Sequence, residues 1–553
     1  MLHGAQPEAS DRNFMKLAKL LGVPCRCEGL AKDSASLFEG IVRQSLGGRS
    51  ALCISARTLA KCVDTSADTA AGGNRTWMEG HLFVYGFDVI SEHFDLIRRL
   101  SHCALNSIRE LDSGENEYAV DADSKWLCHE FSGLTFGPAN RGNDRVFQKA
   151  TGDSPVREHL RIGGNPFLVT IQDERSFTML AGTRQILDID SCVGPGMRAL
   201  DAFSQFVPAM LFLRHAFGKR CWQPARKLAC FIVDDPLLRA RYGYLRYNAL
   251  LEAMERSNFA TSIAFVPWNY NRSHRNTADL FLRHPKRLSL SIHGCDHTKD
   301  EFGGVDEVSL STKAGIARKR MERHRQLTGV PFDNVMVFPQ GVFSSVAMKA
   351  LKTAGYLAAI NSTPFPVDAS SEPLRVRDLL SPAITRYSGF PLFIRRYPNC
   401  IAEFALDLFL GKPALIVEHH DCFRNGYQRV QAFAEQINHL SDGITWCGLE
   451  DIVRAACLKR QRDNGTFDAQ FYDNRLSVVE DGTHNKESRA REAMRVRVAF
   501  PAVNGDSDLQ LGSPAYRMGV SVRRRLCEFR DNYLSRSRAV MAGLNMLKSK
   551  VTN

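Results

Sequence analysis

Between Lys227 and Arg460 the sequence alternates between short apolar segments and longer amphipathic segments, and this alternation constrains the fold more than any other feature. The apolar segments have the length of buried strands: Leu228–Val233, Thr261–Val266, Leu288–Ile292, Asn334–Phe338, Leu357–Ile360, Ala414–Glu418 and Ile444–Trp446. Between several of these segments the apolar residues have helical spacing, which predicts helices at Tyr247–Arg256, Thr277–Arg283, Thr312–Leu327, Ser345–Thr353 and Tyr427–Leu440. Since such crossovers join parallel strands, the pattern predicts an α/β fold, a distorted (β/α) barrel, with a doubly wound open sheet as the alternative.

The flanking regions extend the chain beyond one domain. A length of 553 residues suggests roughly three domains of about 150 residues each, and we place their limits at 1–215, 227–460 and 461–553. The first is predicted to be an α/β accessory region, with helices at Phe14–Leu21 and Phe87–Leu100, strands at Ala51–Ser55 and Leu82–Phe87, and a hairpin of Phe167–Ile171 with Phe177–Leu180. The last is predicted to be a small β-rich region, with strands at Phe471–Val479 and Met494–Phe500 before a basic helical tail.

Polar side chains follow four of the predicted strands, at the carboxyl ends where parallel α/β folds build their active sites. They are Asp234 and Asp235, His293 and His297, the segment Phe338–Gly341, and His419, His420 and Asp421. Their positions favour the barrel over the open sheet.

Two of these groups suggest a metal ion. Asp234 and Asp235 are costly to place together at a barrel mouth unless a cation or hydrogen bonds compensate them, although one could cap the next segment while the other is solvated. His293 and His297 are one helical turn apart, so both can face one ion. An HxxxH pair alone is often coincidence, but this one begins where a strand ends.

The order strand–Asp-Asp, strand–HxxxH, strand–FPxG, strand–His-Asp resembles the polysaccharide deacetylase family, the sugar N-deacetylases that include chitin and peptidoglycan deacetylases. The resemblance covers about residues 227–460 and not the flanking regions. It implies that Asp235, His293 and His297 hold a divalent metal ion, zinc being the expected one, and that Asp234 is the general base.

The resemblance also implies that His420 is the general acid. We prefer His420 over His419 because neighbouring side chains point to opposite faces of a strand end, and His420 with Asp421 matches the family pattern.

The chain departs from the family pattern at several positions. Pro236 replaces the glycine that follows the Asp pair, and Val337 occupies the position of the third-motif arginine, which in the family orients the base. We propose Arg386 as the replacement positive charge, and the family's Asp-x-x-Asp-Trp motif has no match. Trp268 and Asn269, in the loop after the second strand, suit stacking and hydrogen bonding to a sugar, or else pack on the barrel rim.

The resulting hypothesis is a metal-dependent hydrolase that removes an N-acetyl group from a glycan or glycan precursor. A glycosidase-like hydrolase is the second hypothesis; it would need two carboxylates about 5–9.5 Å apart, for which Asp234 with Asp296 or Glu418 are the candidates. A non-catalytic glycan-binding protein on a degenerate barrel is the third.

Charge and targeting signals indicate partners and location. The formal net charge of +12 makes acidic partners plausible, although excess Lys and Arg can simply solvate a surface. No zinc-finger spacing or aromatic RNA-binding motif accompanies the charge, which argues against nucleic acid. The first residues contain no apolar core of a signal peptide, and the 15 cysteines are scattered, so we expect a cytoplasmic protein acting on an intracellular biosynthetic precursor.

The basic tail has two interpretations. Residues 517–550 interleave arginines and lysines with apolar side chains that include Val522, Leu526 and Phe529. Such a helix either packs its apolar side on the preceding region or lies on an anionic membrane surface.

Overall fold

The computed structural model describes residues 2–3, 6–29, 50–64, 80–150, 155–174, 176–368, 372–472 and 509–534. Among these residues, no helix combines the length and apolar character that crossing a membrane requires. All fifteen cysteines lie in the described ranges, and each is a free thiol.

The N-terminal part is a mixed sheet with helices packed on it. Its strands are β1 Leu2–His3, β2 Glu28–Gly29, β3 Ala51–Ser55, β4 Gly80–Tyr85, β5 Leu105–Glu110, β6 Tyr118–Val120, β7 Thr135–Phe136, β8 Arg145–Lys149, β9 Val156–Ile162, β10 Asn165–Gln172 and β11 Ser176–Ala181. The helices of this part are α1 Ala9–Leu20, α2 Ala56–Asp64, α3 Ser91–Leu100, α4 Lys125–Cys128 and α5 Phe203–Phe217. Nine strands form one sheet in the order β2-β1-β3-β4-β11-β10-β9-β6-β7, and β5 pairs with β8. The predicted hairpin is the antiparallel pair β10-β11.

The following part contains the alternating strands and helices. The strands are β12 Gln223–Pro224, β13 Leu228–Asp234, β14 Arg241–Tyr242, β15 Leu245–Arg246, β16 Thr261–Phe265, β17 Leu288–His293, β18 Asp333–Val337, β19 Ala358–Asn361, β20 Leu392–Ile394, β21 Ala414–His419, β22 Thr445–Trp446, β23 Cys457–Gln461 and β24 Phe467–Phe471. The helices are α6 Tyr247–Ser257, α7 Arg275–Arg283, α8 Glu307–Thr328, α9 Ser345–Thr353, α10 Val376–Leu380, α11 Ile401–Leu410, α12 Gln428–Leu440, α13 Leu449–Ala455 and α14 Pro514–Asn532.

Eight of the strands that follow Lys227 form a curled parallel sheet. Their order is β20-β19-β18-β17-β16-β13-β21, with β22 beside the start of β13. After β20, Arg396 makes a parallel bridge to Ile416 of β21. The backbone N–H of Arg396 donates a hydrogen bond to the carbonyl oxygen of Leu415 at 2.8 Å. The two edges of the sheet therefore meet, and the fold is a mixed α/β fold of the predicted barrel type.

Side chains along each strand of this sheet alternate between its interior and the surrounding helices. In β13, Cys230 and Ile232 belong to an apolar cluster that gathers residues from several strands, whereas Phe231 and Val233 belong to the cluster beneath the helices. Asp234 continues the alternation of Cys230 and Ile232, so its side chain points into the interior at the carboxyl end of the sheet.

The C-terminal part, predicted as a small β-rich region, is described over residues 461–472 and 509–534, and its β-rich character is not confirmed. Strand β23 pairs with β12 on one side and with β24 on the other. The predicted helical tail, 517–550, is helical in α14 as far as Asn532, and residues 535–550 lie outside the described residues. The predicted strand 494–500, and 471–479 beyond residue 472, lie outside the described residues. The domain limits stay predictions.

Candidate active site

The three proposed metal ligands meet at the mouth of the curled sheet. One ligand atom from each of Asp235, His293 and His297 lies within 4.8 Å of the other two. His297 Nε2 is 3.4 Å from Asp235 Oδ1, and the two imidazole centroids are 4.9 Å apart. Two histidines and a carboxylate are a donor set typical of catalytic zinc.

The environment of the two histidines suits a divalent cation. His293 Nδ1 lies 3.0 Å from the carbonyl oxygen of Val337; donation through Nδ1–H leaves the lone pair on Nε2, which faces the site. Burial lowers the pKa of His293, and it lowers the pKa of His297 to about 4. Both imidazoles are therefore neutral at pH 7, with a lone pair available, and the residues fit the metal that the motif implies.

The backbone of the site is held in an unusual conformation. Asp235 has φ of 80° and His297 has φ of 55°, in the left-handed region that side-chain-bearing residues rarely adopt. Glu301 holds the HxxxH loop, because its carboxylate accepts the backbone N–H groups of Cys295 at 2.9 Å, Asp296 at 2.6 Å and His297 at 3.2 Å. Backbone strain persists where surrounding contacts enforce it, and it concentrates at functional sites.

Asp234 forms a buried bidentate ion pair with Arg395. The Nη1 and Nη2 atoms of Arg395 donate to the two carboxylate oxygens at 2.6 and 2.8 Å. Burial by itself would raise the pKa of Asp234, but the charge of the Arg395 guanidinium outweighs it and holds that pKa below its ordinary value. The carboxylate is therefore ionised at neutral pH.

Arg395 supplies the charge that the sequence analysis had assigned to Arg386. Arg386 instead binds Asp378 at 3.1 Å and Glu372 at 2.8 Å. Arg395 was missed because β20 is only three residues long, too short to show a periodicity. Two arginines directly after the apolar Leu392–Ile394 were the available signal.

The structure brings His419, and not His420, to Asp234. Asp234 and His419 are register partners on β13 and β21, and register partners of a parallel ladder share a face. His419 Nε2 is 4.0 Å from Asp234 Oδ2. His420 packs edge-on against Tyr242, with Nε2 3.6 Å from Asp531. The strand register therefore favours His419, and the choice between the two histidines stays a prediction.

Helix α14 lies over the mouth and contributes a cation to the site. Arg524 Nη2 is 3.3 Å from Asp235 Oδ1, and the Tyr242 hydroxyl donates to Asp531 at 2.9 Å. Burial would raise the pKa of Asp235, but His297 and Arg524 hold it below its ordinary value. No local signal predicted the contact of Arg524, because it spans 289 residues.

The two residues proposed to bind sugar have protein partners. The ring of Trp268 lies over the Arg320 guanidinium at 4.8 Å. Asn269 is 2% exposed, and its side-chain oxygen accepts a hydrogen bond from Arg272 at 3.0 Å. The loop therefore packs on the rim, as the alternative interpretation expected, and a sugar-binding role stays a prediction.

No family model matches this sequence, and no curated protein matches it. Solved structures that are similar to this chain include carbohydrate deacetylases, the class that its motifs resemble. Agd3, described as a novel carbohydrate deacetylase, is 8% identical with a TM-score of 0.45, over 84% of this chain and 89% of Agd3. A family 4 carbohydrate esterase from Streptomyces lividans is 11% identical with a TM-score of 0.25, over 40% of this chain and 91% of the esterase.

A third similar structure is the catalytic domain of a peptidoglycan N-acetylglucosamine deacetylase from Eubacterium rectale. It is 14% identical with a TM-score of 0.24, over 41% of this chain and 90% of that domain. All three TM-scores lie below 0.5.

Proposed function

We propose that this chain is a metal-dependent hydrolase that removes an N-acetyl group from a glycan or glycan precursor. The observation that carries the proposal is the meeting of Asp235, His293 and His297 beside an ionised Asp234 and beside His419. This combination provides a cation site, a proton acceptor and a proton donor at one mouth.

Each side chain has a defined task in the hydrolysis. A divalent ion held by Asp235, His293 and His297, with zinc expected, would polarise the amide carbonyl and lower the pKa of a water molecule towards about 7. Arg395 holds the carboxylate of Asp234 in place. Asp234 accepts a proton from the water molecule while the water oxygen attacks the carbonyl carbon.

The leaving nitrogen needs a proton as the C–N bond breaks. We assign its donation to His419, whose side chain is 43% exposed, so solvent can return the proton after each turnover. The products are acetate and a free amine on the sugar.

Neither of the two carboxylates named for the glycosidase alternative, Asp296 and Glu418, is placed to act with Asp234. Asp296 is 0% exposed, and its oxygens bind Arg320 at 2.5 Å and Tyr516 at 2.8 Å. Glu418 pairs with Arg429 at 3.3 Å and, as the neighbour of His419, points to the opposite face of β21.

The metal assignment is tested by elemental analysis of the purified full-length protein after exposure to zinc and desalting. We expect about one equivalent in the wild type and little in Asp235→Ala, His293→Ala and His297→Ala, with circular dichroism unchanged. Asp442→Asn is the control, because its carboxylate is 94% exposed. Equal metal content in all five proteins would overturn the assignment.

The reaction is tested by measuring acetate release from oligomers of N-acetylglucosamine and of N-acetylgalactosamine. Asp234→Asn should keep the metal and lose turnover, because an amide cannot accept the proton. Metal-loaded wild type that releases no acetate would leave a glycan-binding protein as the better proposal, and release of reducing sugar without acetate would favour the glycosidase.

A further inference from the structure

Helix α14 presents an apolar stripe to solvent. Its members are exposed by half or more and follow helical spacing: Met518 67%, Val522 51%, Leu526 63%, Phe529 50% and Tyr533 66%. At 1.5 Å per residue the stripe is about 22 Å long. A continuous row of large exposed apolar side chains marks an interaction surface.

The orientation of α14 is set by polar contacts on its opposite face. Arg524 and Asp531 are buried, and they bind Asp235 and Tyr242 of the barrel mouth. Glu528 pairs with Arg239 and Arg272. A rotation of α14 that buried the stripe would break these contacts and expose the ion pair of Arg524 with Asp235. The stripe therefore faces outward.

The exposed charges of α14 itself are of one sign. Both acidic residues of α14, Glu528 and Asp531, are turned towards the protein, with side-chain exposures of 14% and 7%. Arg523 and Arg525 are exposed at the borders of the stripe, and Arg530, also exposed, pairs with Asp531 at 2.7 Å. The outer face is therefore apolar along its centre and cationic at its edges.

We propose that the outer face of α14 binds an anionic lipid surface. A helix of this kind lies in the plane of a bilayer interface, with apolar side chains at the acyl boundary and arginines on the headgroups. A second copy of the chain fits less well, because pairing two such faces would bring the arginines of both copies together. The proposal depends on α14 alone and not on the proposed hydrolase activity.

Sedimentation of the full-length protein with vesicles tests the proposal. We expect binding to vesicles of phosphatidylglycerol and phosphatidylcholine, weak binding to phosphatidylcholine alone, and loss of binding as NaCl is raised. The variant L526S/F529S should lower the partition coefficient about tenfold or more, because inserted apolar area drives the binding.

A matched control is V308S/L327S, which removes two side chains of α8 that are 76% and 53% exposed. It should bind vesicles as the wild type does. Equal binding by L526S/F529S and wild type, or equal binding to both vesicle types, would overturn the proposal.

Two further measurements identify other occupants of the stripe. A dimer in light scattering that L526S/F529S dissociates, without vesicle binding, would assign the stripe to a second copy. A clear fall in the unfolding temperature of L526S/F529S relative to V308S/L327S would show that the chain itself covers the stripe. Either result would overturn the proposal.

Discussion

The pair of Asp234 and Arg395 couples the chemistry of the site to the stability of the fold. Their side chains are only 4% and 3% exposed. Removing one partner of a buried pair leaves an uncompensated charge, which costs about 3–5 kcal/mol.

Arg395→Gln should therefore lower the free energy of unfolding by about 3–5 kcal/mol and abolish acetate release. Arg98→Gln is the matched control, because Arg98 pairs with Asp95 at the surface, with side chains 50% and 66% exposed, and should cost about 1 kcal/mol or less. Denaturant unfolding and acetate release measure the two effects. Similar losses in both variants would contradict the assignment of Arg395 to Asp234.

A second prediction distinguishes the two adjacent histidines. His419→Gln should lower kcat about 10²- to 10⁴-fold, the usual contribution of a general acid, while the bound metal remains. His420→Gln should retain most of the turnover and mainly lower the unfolding temperature, because His420 packs against Tyr242. The reverse pattern of kcat values would restore the preference for His420.

At the scale of elements, α14 links the C-terminal part of the chain to the barrel mouth. Its Arg524 guanidinium lies 3.3 Å from the carboxylate of Asp235, where it competes electrostatically with a cation bound by the same carboxylate.

Arg524→Gln should therefore tighten zinc binding, by about tenfold for a difference near 1.4 kcal/mol. Titration calorimetry of the metal-free protein measures this affinity without any substrate. Arg525→Gln is the control, since Arg525 is an exposed neighbour on the same helix and should leave the affinity unchanged. Weaker zinc binding in Arg524→Gln would instead show that Arg524 orients Asp235.

At the scale of the whole molecule, Asp333 should make stability depend on pH. It begins β18, accepts the Leu449 N–H of α13 at 2.9 Å and lies beside Glu450. Burial, followed by the charge of Glu450, raises the pKa of Asp333 from 3.8 to about 7.

Between about pH 4 and about pH 7 the folded state thus holds a proton that the unfolded state has released. The stability that this proton contributes is fully present near pH 4, and it is lost as the pH rises from about 4 to about 7. Asp333→Asn should flatten this slope and raise the unfolding temperature at pH 8 by about 2 °C or more. Asp442→Asn should keep the wild-type slope; parallel slopes in all three proteins would contradict the shift.

Local sequence pattern was sufficient to predict the elements of the barrel and several of the polar side chains that lie at its mouth. Apolar periodicity predicted β13, β16 and α9. A strand or helix that packs on a core carries apolar residues at regular intervals along its buried side. Polar residues that directly follow apolar strands predicted Asp235 and His293, because parallel strands present their carboxyl ends at one edge. The metal, its identity and the substrate stay predictions.

Only the tertiary structure decided which side chains complete the site. β20 is three residues long and has too few positions for a period, so Arg395 became visible only when the sheet curled and placed it on Asp234. The proposal of His419 in place of His420 comes from the register of β21 against β13. Arg524 reaches Asp235 across 289 residues. Such contacts depend on how distant segments pack together, and periodicity within one segment carries no information about the partner that it meets.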